Sequence, residues 1–460
     1  MGGLRLKVFP ELRHLSSDGV SNILLDVNSC RIFEAEDALL EVLLVMDDPS
    51  PDWARLRLQY GDQHIDECLS FARNLVDSGT LVRDEQLHHM KEHVNRDIAV
   101  TSLTLNIAHT CQLRCRYCFA NTGNYGLDDG ISLMSFDTAK QAIDILNQLR
   151  GNQKAQIVFF GGEPLLNWEV LERSVGYAEA TFAGPDRKPN VSFCITTNGL
   201  ALIQSQARFF KEHPFSVILS IDGDRDTHNK LRPCKTDDVD SWAGTIAAFQ
   251  ILTGEGITPR ARVTVTSSNT NLVQALHDLG ELGFGSINMQ PVHTPADKSL
   301  TLSHDDLLVY ESHVSTMMRS RPLVFADGRR LVARIGDGDM GIWFCAVATG
   351  SLTVSPSGEL YPCHRLMGIP RFRIGNVHDD GILKALDARE TLDVDKSLVC
   401  TRCWAKYLCR GGCYAENYNA TGKLQMPDPF RCHLTKHIIG RALECYLFSR
   451  RDAANTGGDK

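Results

Sequence analysis

Three cysteines spaced C-x3-C-x2-C, in the run Asn106-Ile-Ala-His-Thr-Cys111-Gln-Leu-Arg-Cys115-Arg-Tyr-Cys118-Phe119-Ala120, constrain this chain more than any other feature. Three thiolates at this spacing can ligate three irons of a [4Fe–4S] cube and leave the fourth iron open for a substrate or cofactor. Zinc is the alternative for such a trio. It normally takes four closed ligands or three plus water, usually from a C-x2-C paired with a second C-x2-C or with H-x3-5-H. The chain has 460 residues and fifteen cysteines. Most of them fall in two clusters, which in so long a chain favours metal ligation in a reducing compartment over disulfides.

A chain of this length has room for two to four domains with sizeable cores. No apolar run reaches spanning length, and Met1-Gly-Gly-Leu-Arg does not lead into a signal-peptide apolar region, so a soluble cytoplasmic protein without a membrane partner is expected. Residues 1–95 carry nine Lys and Arg against seventeen Asp and Glu, an excess equal to the net charge of −8 of the whole chain. An acidic first domain is a poor nucleic-acid binder, because phosphate contacts need cationic side chains.

Residues 19–34 read as a hairpin, with Val20–Leu25 and Arg31–Phe33 flanking a turn in Asp26-Val27-Asn28-Ser29. Helical patterns follow at Glu36–Met46 and Ile65–Asp77, the second closed by Ser78-Gly79 before the apolar run Thr80-Leu81-Val82. This predicts a small winged-helix-like unit with its linker over 1–95. From residue 101 short apolar runs alternate with helices such as Asp137–Gln148. The runs are Leu103–Ala108, Ile157–Phe160, Val191–Thr196, Val217–Ile221, Arg262–Thr266 and Ser286–Met289. That alternation means parallel βα units. Six units are too few for a closed eightfold barrel, so a partial α/β barrel with its reactive site at the strand C-terminal ends is predicted. The cysteine loop follows the first strand, Gly161-Gly162-Glu163 ends the second, Thr196-Thr-Asn198-Gly199 the third and Ser220-Ile-Asp222-Gly223 the fourth. Residues 300–340 read as a helical bridge with a Gly- and Asp-rich loop, and 451–460 as a disordered polar tail.

The cysteine spacing, the aromatic at Tyr117 and the downstream Gly161-Gly162-Glu163-Pro164 resemble the signature of the radical S-adenosylmethionine (SAM) superfamily. The resemblance implies a partial (β/α)6 radical SAM barrel over 96–299. It implies a cluster on Cys111, Cys115 and Cys118 whose open iron chelates SAM, and reductive cleavage of SAM to a 5′-deoxyadenosyl radical. Gly161 and Gly162 would let backbone approach the methionine moiety without a Cβ clash. Glu163 would accept from its ammonium, Asn198 and Ser220 would make polar contacts, and Tyr117 would lie near the adenine. Asp222, His228 and Arg262 are either further site groups or satisfied core polar groups. The stretch Leu24–Ser29 resembles the PqqD-like element that grips leader peptides, with a plain helical cap as the alternative.

Beyond residue 340 lie Cys345, Gly358 and Cys363 in C-x12-G-x4-C, then Cys400-x2-Cys403-x5-Cys409-x3-Cys413, and Cys432. These match the SPASM domain that follows some radical SAM cores, here over 341–450. The resemblance implies one [4Fe–4S] cluster on Cys400, Cys403, Cys409 and Cys432 and another on Cys345, Cys363 and Cys413, three clusters in all. The last set is one ligand short, since 346–362 contains no cysteine. A substrate thiolate, a protein Asp or water would fill the gap, and zinc remains the alternative for C-x2-C-x5-C-x3-C. Cys30, Cys68, Cys194, Cys234 and Cys445 fall outside both patterns and read as small buried hydrophobes.

The runs Cys115–Gly126, Tyr361-Pro-Cys363-His364-Arg365 and Cys403–Cys413 resemble thioether-forming peptide maturases, of the six-cysteine-peptide or the quinohemoprotein amine dehydrogenase branch. An Arg-rich, Lys-poor composition leans to the latter. The resemblance implies a peptide or small protein substrate, held through the N-terminal domain, and a flavodoxin or ferredoxin-type reductant. Sulfatase-maturing relatives carry Asp directly after the cysteine corresponding to Cys363, where this chain has His364. Carbon–carbon cross-linking, epimerisation and a redox-sensing iron–sulfur binding protein are the competing expectations.

Overall fold

The computed structural model describes residues 4–16, 19–87, 99–127, 130, 132–184, 188–237, 239–292, 296–320, 325–348, 350–387 and 392–456. At the N-terminus, strands β1 (Leu6–Ser16), β2 (Gly19–Asp26) and β3 (Ile32–Ala35) form an antiparallel sheet in that order. Helices α1 (Asp37–Val45), α2 (Trp53–Tyr60) and α3 (Asp62–Asp77) follow. The hairpin turn is where the sequence put it. The Asp26 carboxylate accepts from the Asn28 N–H at 3.1 Å and from the Val82 N–H at 3.0 Å, which fastens the turn to the short apolar run. Two elements were not anticipated. β1 contains Pro10, which has no N–H to donate, and the ladder shifts register between Phe9 and His14; an edge strand tolerates both. α2 is capped by Asp52, which accepts from the Arg55 N–H at 3.0 Å.

Strand alternation gives the small sheet two jobs. Leu24 faces α1 to α3, in a core with Val42, Leu56, Ile65 and Ala72, whereas Phe9, Ile23 and Leu25 join the main core. Phe9 meets Trp404 edge to face at 5.4 Å, so the N-terminal unit is seated on the C-terminal domain.

The six strands expected of the barrel are all present and parallel: β4 (Ser102–Ala108), β5 (Ala155–Gly161), β6 (Val191–Thr197), β7 (Phe215–Ser220), β8 (Arg260–Val265) and β9 (Ile287–Pro291). Helices α4 (Phe136–Leu149), α5 (Trp168–Thr181), α6 (Gln204–Glu212), α7 (Arg225–Leu231), α8 (Ser241–Gly254) and α9 (Leu272–Glu281) lie between them. Leu103, Leu105, Ile157, Phe159, Phe193, Ile195, Val217 and Leu219 alternate along their strands and form one buried face of the sheet, while most positions between them in β5 and β7 are only partly buried. The bridge is two helices, α10 (His304–Ser320) and α11 (Ala326–Asp337).

The C-terminal part is not a separate body. Its strand β10 (Ser351–Val354) pairs in parallel with β4, Ser351 opposite Ser102 and Val354 opposite Leu105. Strands β11 (Glu359–Tyr361) and β12 (Gly375–Asn376) extend it into a nine-stranded sheet, ordered β12-β11-β10-β4-β5-β6-β7-β8-β9. Helices α12 (Ile382–Asp387), α13 (Lys406–Cys409), α14 (Tyr414–Thr421) and α15 (Pro429–Thr456) complete the chain. The expectation of a disordered tail from 451 is corrected here: α15 continues to Thr456, through a run with two alanines that suits a helix. Residues 457–460, and the linker expected near 95, lie outside the described residues. No helix among the described residues is long and apolar enough to cross a membrane.

Candidate active site and cluster-binding cysteines

The C-terminal ends of the barrel strands surround a cavity of about 390 Å3, in the size range of small-molecule sites. Cys111, Cys115, Cys118, Tyr117, Gly161, Gly162, Asn198 and Ser220 all line it. These residues come from four different strand ends, so the sequence reading and the fold converge on one place. Cys111 Sγ accepts from the Leu113 N–H at 3.4 Å and from Asn198 Nδ2 at 3.6 Å, contacts of the kind that tune a cluster's potential.

The glycines also have a packing role. A Cβ on Gly162 would lie 2.7 Å from the Thr110 carbonyl carbon and 3.1 Å from the Gly123 Cα. One on Gly161 would run into the Ala108 carbonyl, and Gly161 has φ +133°. What the missing Cβ atoms admit is therefore the cysteine loop itself, laid against the end of β5. Consistently, the Gly162 N–H donates to Ala108 O at 2.7 Å and the Glu163 N–H to Thr110 O at 2.9 Å.

Glu163 is not among the residues lining the cavity; it is 1% exposed. Its carboxylate accepts from the Leu165 N–H at 3.0 Å, the Thr197 hydroxyl at 2.7 Å and the Asn198 N–H at 2.8 Å. Burial raises its pKa to about 7 despite these three donors. Here it ties the end of β5 to the end of β6 and orients Asn198.

Asp222 and His228 are core polar groups. Asp222 is fully buried and takes a bidentate pair from Arg232 at 2.8 and 3.1 Å, the Thr264 N–H at 2.9 Å and the Tyr117 hydroxyl. Burial pushes its carboxyl up, but the Arg232 guanidinium outweighs that and holds it below the usual range. The Arg232 guanidinium also lies 5.3 Å from the Tyr117 ring centroid. Burial, with Arg232 nearby, lowers His228 to about 4, and its Nδ1 accepts from the Asp222 N–H at 3.3 Å. Arg262 does line the cavity, as do Arg232, Gln290, Arg365, Met367 and Asn419, which sequence reasoning missed. Arg232 left one signal, a cation four residues after His228 on the helix following the fourth strand.

In the C-terminal domain Cys400, Cys403, Cys409 and Cys432 line one small cavity. Cys345, Cys363 and Cys413 form the other set. Burial first, then the neighbouring Cys363 and Cys413, raises the Cys345 thiol to about 12, and burial raises Cys363 to about 11. Thiols so buried are ionised when they ligate a metal centre, whose charge reverses the penalty. His364 is half-buried between Phe160, at 4.7 Å, and Phe119, at 5.8 Å, and loss of solvent lowers its pKa to about 3. Of the cysteines outside the patterns, Cys30, Cys68, Cys194 and Cys234 are buried; Cys445 is half-buried and donates to Met318 O.

Residues 105–267 match the Radical SAM superfamily, and residues 345–404 match an iron–sulfur cluster-binding domain, SPASM. The chain is 22% identical to the radical SAM cyclopropyl synthase TigE of Paramaledivibacter caminithermalis, over 77% of each chain. It is 27% identical to the serine-type anaerobic sulfatase-maturating enzyme of Klebsiella aerogenes, over 69% of this chain and 80% of that one. Its fold matches that of anSMEcpe with bound AdoMet and Kp18Cys peptide, with a TM-score of 0.62 at 19% identity over 76% of this chain and 99% of that one. This chain thus carries a radical SAM domain followed by a SPASM iron–sulfur cluster-binding domain, and is homologous to radical SAM enzymes such as TigE and the sulfatase-maturating enzyme.

Proposed function

We propose that this protein is a radical SAM maturase that joins a cysteine sulfur to a carbon in a ribosomally made peptide or small protein subunit, with the amine dehydrogenase small subunit as first candidate. One observation carries this reading. Cys118, Cys363 and Cys413 pack against the same small core, around Tyr125, Tyr361 and Leu366. The C-terminal residues Arg365, Met367, Ile369 and Asn419 are part of the wall of the cavity that Cys111, Cys115 and Cys118 line. A set of only three cysteines therefore borders the chamber in which the SAM domain works. Such a set leaves room for a fourth ligand, and a substrate thiol there would be ionised and adjacent to the reacting carbon.

In this reading Cys111, Cys115 and Cys118 hold the first of three [4Fe–4S] clusters, Cys345, Cys363 and Cys413 the second, and Cys400, Cys403, Cys409 and Cys432 the third. Asn198, Ser220, Gly161 and Gly162 contact SAM, Tyr117 flanks it, and Glu163 positions Asn198. When bound, SAM and its cluster would supply a carbon radical able to take one hydrogen atom from the substrate, and the clusters held by Cys345, Cys363 and Cys413 and by Cys400, Cys403, Cys409 and Cys432 would offer an acceptor for the electron released on joining a thiolate sulfur to the carbon. The protein's own share is to orient the substrate and exclude water from the cavity. A flavodoxin or ferredoxin-type protein is the proposed reductant.

The N-terminal unit is proposed to hold the substrate's leader or flanking segment. β3 is an edge strand of its sheet, and strand addition reads an extended peptide through its backbone. The acidic excess of residues 1–95 favours a basic segment. Two relatives bear on competing chemistries. TigE is a cyclopropyl synthase, which supports carbon–carbon joining as the second reading. Against sulfatase maturation, the position after Cys363 holds His364, where the sulfatase-maturing pattern has Asp.

Electron paramagnetic resonance of the reduced protein tests the reading. A cysteine-containing substrate is expected to change the signal of the cluster on Cys345, Cys363 and Cys413, and the same peptide with Cys replaced by Ser is not. Removing the basic flanking segment is expected to raise the half-saturating peptide concentration by about tenfold or more. An identical response to the Cys and Ser peptides would remove the sulfur-ligation reading.

A further inference from the structure

We infer that Glu36, His64 and Cys68 form a divalent-metal site, suited to zinc, that clips the β3–α1 corner to helix α3. The site is remote in sequence from the cavity and the cluster cysteines, and it stands independently of the function proposed above. Among the described residues these three are the group of Cys, His and carboxylate side chains whose ligand atoms all lie within 4.8 Å of one another. His64 Nε2 is 2.9 Å from Glu36 Oε1, and Cys68 Sγ is 3.7 Å from the same oxygen.

The local structure explains the convergence. His64 and Cys68 are four residues apart on α3, hence on one face of the helix. Glu36 precedes the first turn of α1 but caps no N–H there, leaving its carboxylate to reach across to α3. Cys68 forms the floor, buried in the core beside Ile65 and Ala72, while Glu36 and His64 stand at the solvent edge. Glu67 Oε2 lies 4.0 Å from His64 Nδ1, on the far side of the imidazole from Glu36 and too far for a hydrogen bond in this rotamer.

Bonds of about 2.3 Å to sulfur and about 2.0–2.2 Å to nitrogen and oxygen place tetrahedral donors roughly 3.2–3.7 Å apart. The trio needs only small side-chain rotations to reach that. One thiolate, one imidazole and one carboxylate, with water in the fourth position, is a zinc ligand set, whereas magnesium and calcium prefer all-oxygen sites. Ligation closes a 32-residue loop between Glu36 and Cys68, so an occupied site stiffens the edge of the sheet next to β3.

The test is zinc binding by the full-length, cluster-loaded protein, read by equilibrium dialysis against buffered Zn2+ and by X-ray absorption at the zinc edge. About one zinc per chain is expected, with one sulfur near 2.3 Å and the remaining ligands nitrogen or oxygen. His64→Ala and Glu36→Gln, both at solvent-accessible positions, and Cys68→Ala are each expected to weaken binding at least about 100-fold. Thermal unfolding of the wild type should shift upward with zinc, and that of His64→Ala should not. A sulfur-rich zinc shell would place the ion on cluster cysteines and overturn the inference. So would binding unchanged in both His64→Ala and Cys68→Ala, or no binding at micromolar free zinc.

Discussion

Replacing Cys111, Cys115 and Cys118 together by Ala is expected to abolish reductive cleavage of SAM while leaving iron in the C-terminal domain. The three residues lie on the wall of one cavity with Asn198, Ser220 and Gly162, and the two C-terminal cysteine sets share no ligand with them. Iron should fall from about twelve per chain, three cubes, to about eight. Deoxyadenosine should disappear from the product mixture. Persistent deoxyadenosine formation in the triple variant would sink the assignment of the SAM site, and about four irons in the unaltered protein would remove the auxiliary clusters.

Gly162→Ala is expected to be nearly as damaging, although it deletes nothing. The added methyl meets the Thr110 carbonyl and the Gly123 backbone, neither of which is a flexible side-chain end, so the cysteine loop must move off the end of β5. A displacement of about 1 Å at reacting groups costs on the order of 100-fold in rate, and overpacking of this kind destabilises by about 1–3 kcal/mol. Deoxyadenosine formation should drop by at least that factor with bound iron reduced, and the thermal midpoint should fall. Ala at Gly176, whose Cβ would meet nothing within 4 Å, is the matched control. Near-normal SAM cleavage in Gly162→Ala would show that the close approach of loop and strand does not position the cysteines.

The strands of the barrel were legible because parallel βα units write themselves as apolar runs separated by helical periods, and all six runs fall within the observed strands to within two residues. The N-terminal hairpin was legible from Asp26 and Asn28, whose side chains make the turn and bind Val82. β1 was not, since Pro10 and mixed polarity mask an edge strand that draws its stability from tertiary pairing. Nor was the merging of the C-terminal domain into the barrel sheet, because the pairing of β10 with β4 joins segments some 250 positions apart. At the site, motif residues were found by spacing. The roles of Gly161, Gly162 and Glu163 were harder to read, because they depend on what lies beside them in space: the cysteine loop for the glycines, and the end of β6 for the glutamate. Arg232, Met367 and Asn419 reach the cavity from a helix end and a second domain, and no local pattern announces them.

Thioether formation has a mass and a thiol signature that separates it from the alternatives. A cysteine-containing peptide converted by the reconstituted protein with SAM and reductant should lose two hydrogens per cross-link, and each cross-link should consume one thiol that alkylating reagent then fails to label. Fragmentation should place the new bond between a cysteine and a carbon of another residue. Product in which every thiol remains alkylatable would contradict a sulfur–carbon bond and assign this cavity to carbon–carbon joining or epimerisation instead.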